Sequence, residues 1–384
     1  MKFDRPAIES RLLSLFGSNR SRIPILLGGC GSGRTTLLNR MTENLGDGNS
    51  QYIDAERAAS TPEGFYAAIM AHSPYVPTDV VTDVCTASES FDALLRFFKK
   101  ARSKNGEIPA FLIDEMHEIR TFESFPGLRG VLDEFLTVIG ESQNRFILSS
   151  RYVNRAHQFL KHSADRFEVI HVPPLSPSEV STTLMAFGVG RDDSERIELG
   201  RIMQALTCGR PAYVQALTRE LARMDGVGSG DPISALAAQL APGAPLSQLC
   251  RFSYELRLHR ARGYGALKAI LQILADEEPL TLTEIAQRLG RTAGSTKDYL
   301  SWLLDVDLIN VRQKRYSYDD QVLRLWVRLH CRPVLPDVLD LAREVQEYAI
   351  ARIPFLEEEH ELVDSPSTPD ETKESETFNL IEID

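Results

Sequence analysis

The run Gly28-Gly29-Cys30-Gly31-Ser32-Gly33-Arg34-Thr35-Thr36 constrains this chain more than any other feature. It follows the apolar Ile23-Pro24-Ile25-Leu26-Leu27 and leads into Leu37-Leu38-Asn39-Arg40-Met41. Strand, glycine-rich turn and helix start form the setting of a phosphate-binding loop. Glycines let the backbone wrap a phosphate so that several amide N–H groups face it. The helix start adds partial positive charge at the same point. Thr35 is positioned to offer a hydroxyl to Mg2+. Arg34 stands where the motif calls for lysine, and its planar fork holds phosphate oxygens differently from a point charge. Phosphate binding is therefore a firmer expectation than turnover.

A glycine-rich turn alone is also compatible with no ligand, but a second element argues against that. Phe111-Leu112-Ile113-Asp114-Glu115 is a buried strand ending in two carboxylates, with Asp114 lying 81 residues after Gly33. That interval leaves room for another strand between the two motifs. Asp114 suits the Mg2+ shell, and Glu115 suits an attacking water. Phe146-Ile147-Leu148 ends in Ser149-Ser150-Arg151, where Ser149 or Ser150 would meet a terminal phosphate or the attacking water. Arg151 reads equally as a phosphate contact or a plain surface arginine. The implied cofactors are ATP and Mg2+.

Short apolar runs at 23–27, 52–53, 110–113, 146–148 and 169–172 alternate with amphipathic stretches at 65–72, 91–101 and 128–139. Such alternation predicts a parallel sheet covered on both faces. The expected fold class is α/β: a P-loop sheet with a helical lid, then a mostly α winged-helix domain and a disordered acidic tail. The expected divisions are a core at 1–175, a lid at 176–225, a linker at 226–246, a winged helix-turn-helix domain at 247–335, a helix at 336–355 and the tail at 356–384.

The order GGCGSGRTT, FLIDE, FILSSR, VPPLSPSEV and CGRPAYVQAL resembles the AAA+-related, STAND-type signal-transducing ATPases, especially the archaeal-type ATPase family. The resemblance covers about residues 1–335. It implies that Pro174-Leu175-Ser176 with Glu179 opens the lid. It also implies that Gly209-Arg210-Pro211 lies against the nucleotide, Pro211 touching it and Arg210 acting as a second sensor. Arg34 is the departure from the family pattern, and it puts hydrolysis in question.

In the C-terminal third, a helix at 264–275 precedes Thr281-Leu282-Thr283-Glu284, with Thr281 or Thr283 as N-cap and Gly290 as C-cap. A third helix at 295–305 and a hairpin around Arg312-Gln313-Lys314-Arg315 complete a winged helix-turn-helix. On double-stranded DNA, Thr292, Ser295, Thr296 and Lys297 would face the groove, while Arg312, Lys314 and Arg315 would meet phosphates. Fourteen basic and ten acidic residues between Arg251 and Arg332 make a modest electrostatic footprint, so a protein partner stays equally open.

The whole-chain charge of −11 misleads, because eleven acids and one lysine fall between Glu357 and Asp384. The body is near neutral. The tail reads as a spacer, a docking peptide at 377–384, or a cover for the basic wing. Five scattered cysteines fit reduced thiols, and the first residues do not read as a signal peptide. No apolar run spans a bilayer. A cytoplasmic protein with no membrane contact follows.

The leading expectation is an ATP-binding switch with slow hydrolysis, coupled to DNA, a protein partner or a homo-oligomer. A non-hydrolysing adaptor that docks proteins, and an oligomerising DNA-binding regulator of replication or transposition type, are the alternatives.

Overall fold

The structure is a computed structural model that describes residues 5–17, 22–46, 48–77, 86–160, 166–225, 230–259, 263–332 and 337–353. The acidic tail lies outside the described residues, as does most of the glycine-rich 226–230.

Helix α1 (Pro6–Gly17) leads into β1 (Ile23–Leu27), and α2 (Arg34–Leu45) starts directly after the loop. Then come β2 (Gln51–Asp54), α3 (Ala55–Ala58), α4 (Pro62–Ala71), α5 (Ala87–Lys100) and β3 (Ala110–Asp114). A 3-10 helix at Met116–Ser124 precedes α6 (Val131–Glu141), β4 (Arg145–Ser150), α7 (Val153–Leu160) and β5 (Phe167–His171). The five strands run parallel in the order β2-β3-β4-β1-β5. Strand β4 thus lies between the two motif strands in space, while β2, the strand inside the sequence interval between them, takes the sheet edge. The stretch at 128–139 begins its helix later than expected, because Gly130 stands at the N-cap in the left-handed region.

Alternate strand residues point to opposite faces, and the packing follows that period. Ile23, Ile25, Leu27, Phe111, Ile113, Phe146 and Leu148 join an aromatic-rich cluster on one face. Leu26, Ala110, Leu112, Ile147 and Ile170 meet α1 and α2 on the other. Phe111 and Phe146 stack at 5.3 Å between ring centres, and truncating either ring would cost about 3–5 kcal/mol.

The chain continues with α8 (Pro177–Ala186), α9 (Asp193–Thr207) and α10 (Pro211–Asp225), the lid helices. Helix α8 opens with a capping box in which Ser176 Oγ accepts from Glu179 N and Glu179 Oε2 accepts from Ser176 N. Within 226–246, expected to be a linker, Pro232–Leu240 forms helix α11, with Ala235, Leu236 and Leu240 fully buried. Pro232 and Pro245 sit at first helical turns, where a missing N–H costs nothing.

Helix α12 (Pro245–Leu258) and α13 (Tyr264–Asp276) precede β6 (Leu280–Thr281), α14 (Leu282–Leu289), α15 (Ala293–Asp305), β7 (Ile309–Arg312) and β8 (Arg315–Tyr318). The small antiparallel sheet has order β6-β8-β7, which with α13, α14 and α15 gives the winged helix-turn-helix arrangement. Thr281 is the N-cap of α14, in a capping box with Glu284, and Gly290 closes the helix in the left-handed region. Helices α16 (Gln321–His330) and α17 (Val338–Ile350) finish the described chain. One continuous apolar cluster runs from Tyr152 and the lid through α11 and α12 to α17. Among the described residues, no helix is long and apolar enough to cross a membrane.

Candidate functional site

Parallel pairing brings the carboxyl ends of the middle strands level: Leu26 stands opposite Ser149, and Leu27 opposite Ser150. The glycine loop after β1, Asp114-Glu115 after β3 and Ser149-Ser150-Arg151 at the end of β4 therefore meet at one edge. Ligand crevices form at such edges in open parallel sheets.

Gly31 has φ +76, and a Cβ there would come within 2.8 Å of the Ala212 Cβ. The loop carbonyls are engaged: Gly29 O accepts from Arg34, Cys30 O from Arg210, and Gly31 O from Ala212 N. Gly28 N donates to Ser150 O and Ser32 N to Gly29 O. Gly33 packs beside Pro211, and Thr36 lies half-buried in the first turn of α2. The lid approaches closely at Gly209 (φ +61), where a Cβ would be 2.4 Å from Leu175 O. Leu175 N donates back to Gly209 O at 2.7 Å.

Arg34 is 6% exposed and its guanidinium spans the mouth of the loop. Nη1 donates to Gly29 O at 3.0 Å, and Nη2 donates to Glu115 Oε1 at 2.5 Å. The second Glu115 oxygen accepts from Arg151 N at 3.0 Å, and Arg151 Nε lies at the same distance as an ion-pair contact. Arg151 is buried and pairs in turn with Glu56, so the surface reading of this arginine is corrected: burial beside two carboxylates fixes it inside. Burial pushes the Glu115 carboxyl up, but the Arg34 and Arg151 guanidiniums outweigh it and hold the group below the usual carboxylate range. Glu115 also has φ +55, a conformation of about 1–3 kcal/mol cost for a non-glycine residue. Its N–H donates to Ser149 Oγ and its carboxylate is clamped, which over-determines the strained backbone.

Asp114 gathers three hydroxyls. Thr35 Oγ1 donates to Oδ2 at 2.6 Å, Tyr52 OH donates to the same oxygen at 3.0 Å, and Ser149 donates to Oδ1. A carboxylate and a threonine hydroxyl in contact, beside a glycine loop and guanidiniums, form a donor set for a hard cation and an oxyanion together.

A cavity of about 200 Å³ opens here. Cys30, Gly31, Arg34, Thr35, Glu115 and Arg151 line one side. Ala212 and Tyr213 of the lid and Leu249, Phe252 and Ser253 of α12 line the other. Arg34 Nε and Ser253 Oγ are buried without a hydrogen-bond partner. Burial pushes the Cys30 thiol up, yet Arg257, Arg151 and Arg34 outweigh it and lower its pKa.

Arg210 ties three parts of the chain together. While Nη1 holds Cys30 O at 2.7 Å, Nη2 lies 3.2 Å from Asp320 Oδ2. Tyr213 OH donates to that same oxygen at 2.7 Å, and Asp320 Oδ1 accepts from Val322 N and Leu323 N as the cap of α16. Tyr52, Glu56, Ser253 and Arg257 escaped sequence reasoning. They stand outside every motif, and no spacing rule would have found them.

At the wing, Lys297, Arg312, Lys314 and Arg315 are exposed. Gln313 and Lys314 make the tight turn, both with positive φ. Thr296 is a correction: it is 0% exposed and its hydroxyl donates to Thr292 O, because its side of α15 packs inward. Thr292 is the N-cap of α15, accepting from Ser295 N. Arg315 donates to Pro279 O and lies 3.6 Å from Glu284.

The sequence matches no protein-family model and no curated protein. Among solved structures, the Walker-type ATPase PABY2304 of Pyrococcus abyssi is similar at TM-score 0.61 and 17% identity, over 85% of this chain and 96% of that one. The Aeropyrum pernix Orc1 protein in complex with DNA overlaps at 0.42 and 14% identity, over 91% and 92% of the two chains. A STAND protein with a tetratricopeptide repeat sensor, PH0952 from Pyrococcus horikoshii, overlaps at 0.35 and 14%, over 93% of this chain and 45% of that one. The first likeness, with the strand order and the loop, shows the fold of a P-loop ATPase. The two looser overlaps carry no argument about function.

Proposed function

We propose that this chain is an ATP-binding switch whose phosphate site is wired to its C-terminal unit. The observation that carries the reading is the path from Cys30 O through Arg210 to Asp320, which joins the loop, the lid and the cap of α16. A ligand drawing on the loop shifts the partners of Arg210, and through them the start of a helix packed in the winged-helix core.

The residues present fit the phosphates and metal of such a ligand. Loop amides between Gly29 and Thr36, apart from the paired Ser32 N, and the Arg34 guanidinium would hold phosphate oxygens, and the orphaned Arg34 Nε shows unused donor capacity. Thr35 and Asp114 would hold Mg2+, with Tyr52 and Ser149 fixing the carboxylate. Bound ATP would supply a polyanion and a hydrolysable phosphoanhydride. The cavity is smaller than the roughly 300–1,000 Å³ typical of small-molecule pockets. Seating the nucleoside as well requires the Leu175–Gly209 contact to yield, so binding and lid movement are one event. Glu115 orients water only after Arg34 leaves it for phosphate. Even then Arg151 keeps its proton affinity low, and turnover is slow.

A second reading, a non-hydrolysing adaptor, is favoured by that same double clamp on Glu115. Phosphate release separates the two: a wild type matching Glu115→Gln within error leaves only the adaptor. The shared core of both readings is tested by melting the protein with millimolar ATP and Mg2+. A rise is expected, and no response overturns nucleotide binding. The output is DNA or a protein partner, and ATP-dependent retardation of a duplex at low salt supports the former. No shift leaves protein docking.

A further inference from the structure

We propose that α12 supplies a wall of the phosphate site, with the Ser253 hydroxyl donating to the terminal phosphate of a nucleoside triphosphate. The inference rests on the nucleotide reading above and names the group that distinguishes triphosphate from diphosphate.

Ser253 is 3% exposed, lines the cavity, and its Oγ has no hydrogen-bond partner. A buried hydroxyl left unpaired is costly and calls for an explanation. The cavity it lines is bounded opposite by Thr35, Glu115, Arg34 and Arg151. Of these, Thr35 and Glu115 take the metal and water-positioning places of P-loop chemistry, which surround the end of the phosphate chain that is attacked. A group seated there is therefore the terminal phosphate, not the inner ones cradled by loop amides.

The wall is held firmly. Arg257, one helical turn beyond Ser253, is 3% exposed and donates to Asp307 O at 2.8 Å. The Asp307 carboxylate accepts from Val153 N and Asn154 N at the start of α7. Arg257 also lies against the Cys30 thiol of the loop. Leu249 and Phe252, 40% and 58% exposed, add apolar surface to the outer part of the same wall. Since α12 belongs to the apolar cluster of the winged-helix unit, the terminal phosphate bridges both units directly.

The test uses the full chain, with AMP-PNP and ADP as probes, each with Mg2+. Ser253→Ala is expected to weaken AMP-PNP binding roughly tenfold, about 1.4 kcal/mol, and to leave ADP within twofold. Without nucleotide the same variant melts at or above the wild-type temperature, because an unpaired buried hydroxyl has been removed. Ser253→Thr, which keeps the hydroxyl, restores AMP-PNP discrimination. Equal affinity of Ser253→Ala and wild type for AMP-PNP overturns the proposal. So does a matched loss for both nucleotides with a lower melting temperature, which marks a packing role. A wild type that binds neither probe sinks the nucleotide reading itself, and this inference with it.

Discussion

The phosphate loop and the wing both concentrate arginine, but they hold it in opposite ways. Arg34 and Arg151 are 6% and 4% exposed and share one carboxylate. Arg312 and Lys314 stand in solvent at a hairpin tip, with Arg315 lightly paired beside them. Buried guanidiniums are desolvated and pre-oriented, so each recognises one geometry and losing a partner is costly. Solvated ones steer an anion of any shape and weaken with salt. The contrast teaches that the sheet edge is built to hold one geometry, while the wing's charges are free to turn.

The largest effect that would break this contrast is expected from Arg151→Met. It leaves Glu56 without its partner and Glu115 with Arg34 alone, and should cost about 3–5 kcal/mol in denaturant unfolding. A loss under 1 kcal/mol would mean the clamp is no tighter than a surface pair. Next comes the Arg210–Asp320 contact. Arg210→Ala and Asp320→Ala should each destabilise, and the double variant should fall short of additivity by about 1–2 kcal/mol. Strict additivity would cut the proposed path.

A pH series sharpens the buried side further. Burial, aided by Arg155, lowers the His117 pKa to about 3, and its Nδ1 faces Ser150 Oγ at 2.7 Å. The unfolded chain takes that proton first, so stability is lost as pH falls below the ordinary 6.5. The slope is at most about 1.4 kcal/mol per pH unit. Burial raises Asp307 to about 6, which acts with the opposite sign: its contribution is present at low pH and lost as pH rises through 6. The difference between wild type and His117→Gln isolates the histidine. A pH-independent difference from pH 7 to 5 would contradict its buried, neutral state. Smallest is the wing. Arg312→Glu with Lys314→Glu should move stability by less than about 0.5 kcal/mol and lower the salt dependence of any duplex binding. A large stability loss would show the wing to be structural.

The same contrast decides what the residues reveal in order. The strands were legible because a sheet buried on both faces needs unbroken apolar runs, and Ile23–Leu27 and Ala110–Asp114 obey that rule. Thr35, Asp114, Glu115 and Ser149 were legible because each ends or follows such a run. Arg151 was ambiguous, since a strand-end arginine looks alike whether it turns inward to Glu56 and Glu115 or outward. Ser253 and Arg257 were hidden because they reach the site by helix packing, which leaves no local spacing. Thr296 misled because Thr292-Ala-Gly-Ser-Thr gives no sign of which side of the first turn faces the core. The segment 226–246 looked like a linker because prolines and glycines mark helix starts as well as breaks.

The continuous apolar cluster from the lid to α17 has a consequence for how the polypeptide comes apart. Leu236 and Leu246 with Tyr254, on α11 and α12, join lid and wing in that cluster, so the two halves are expected to melt as a single foldon rather than in succession. A cassette transplanted into another ATPase would have to carry lid and wing together.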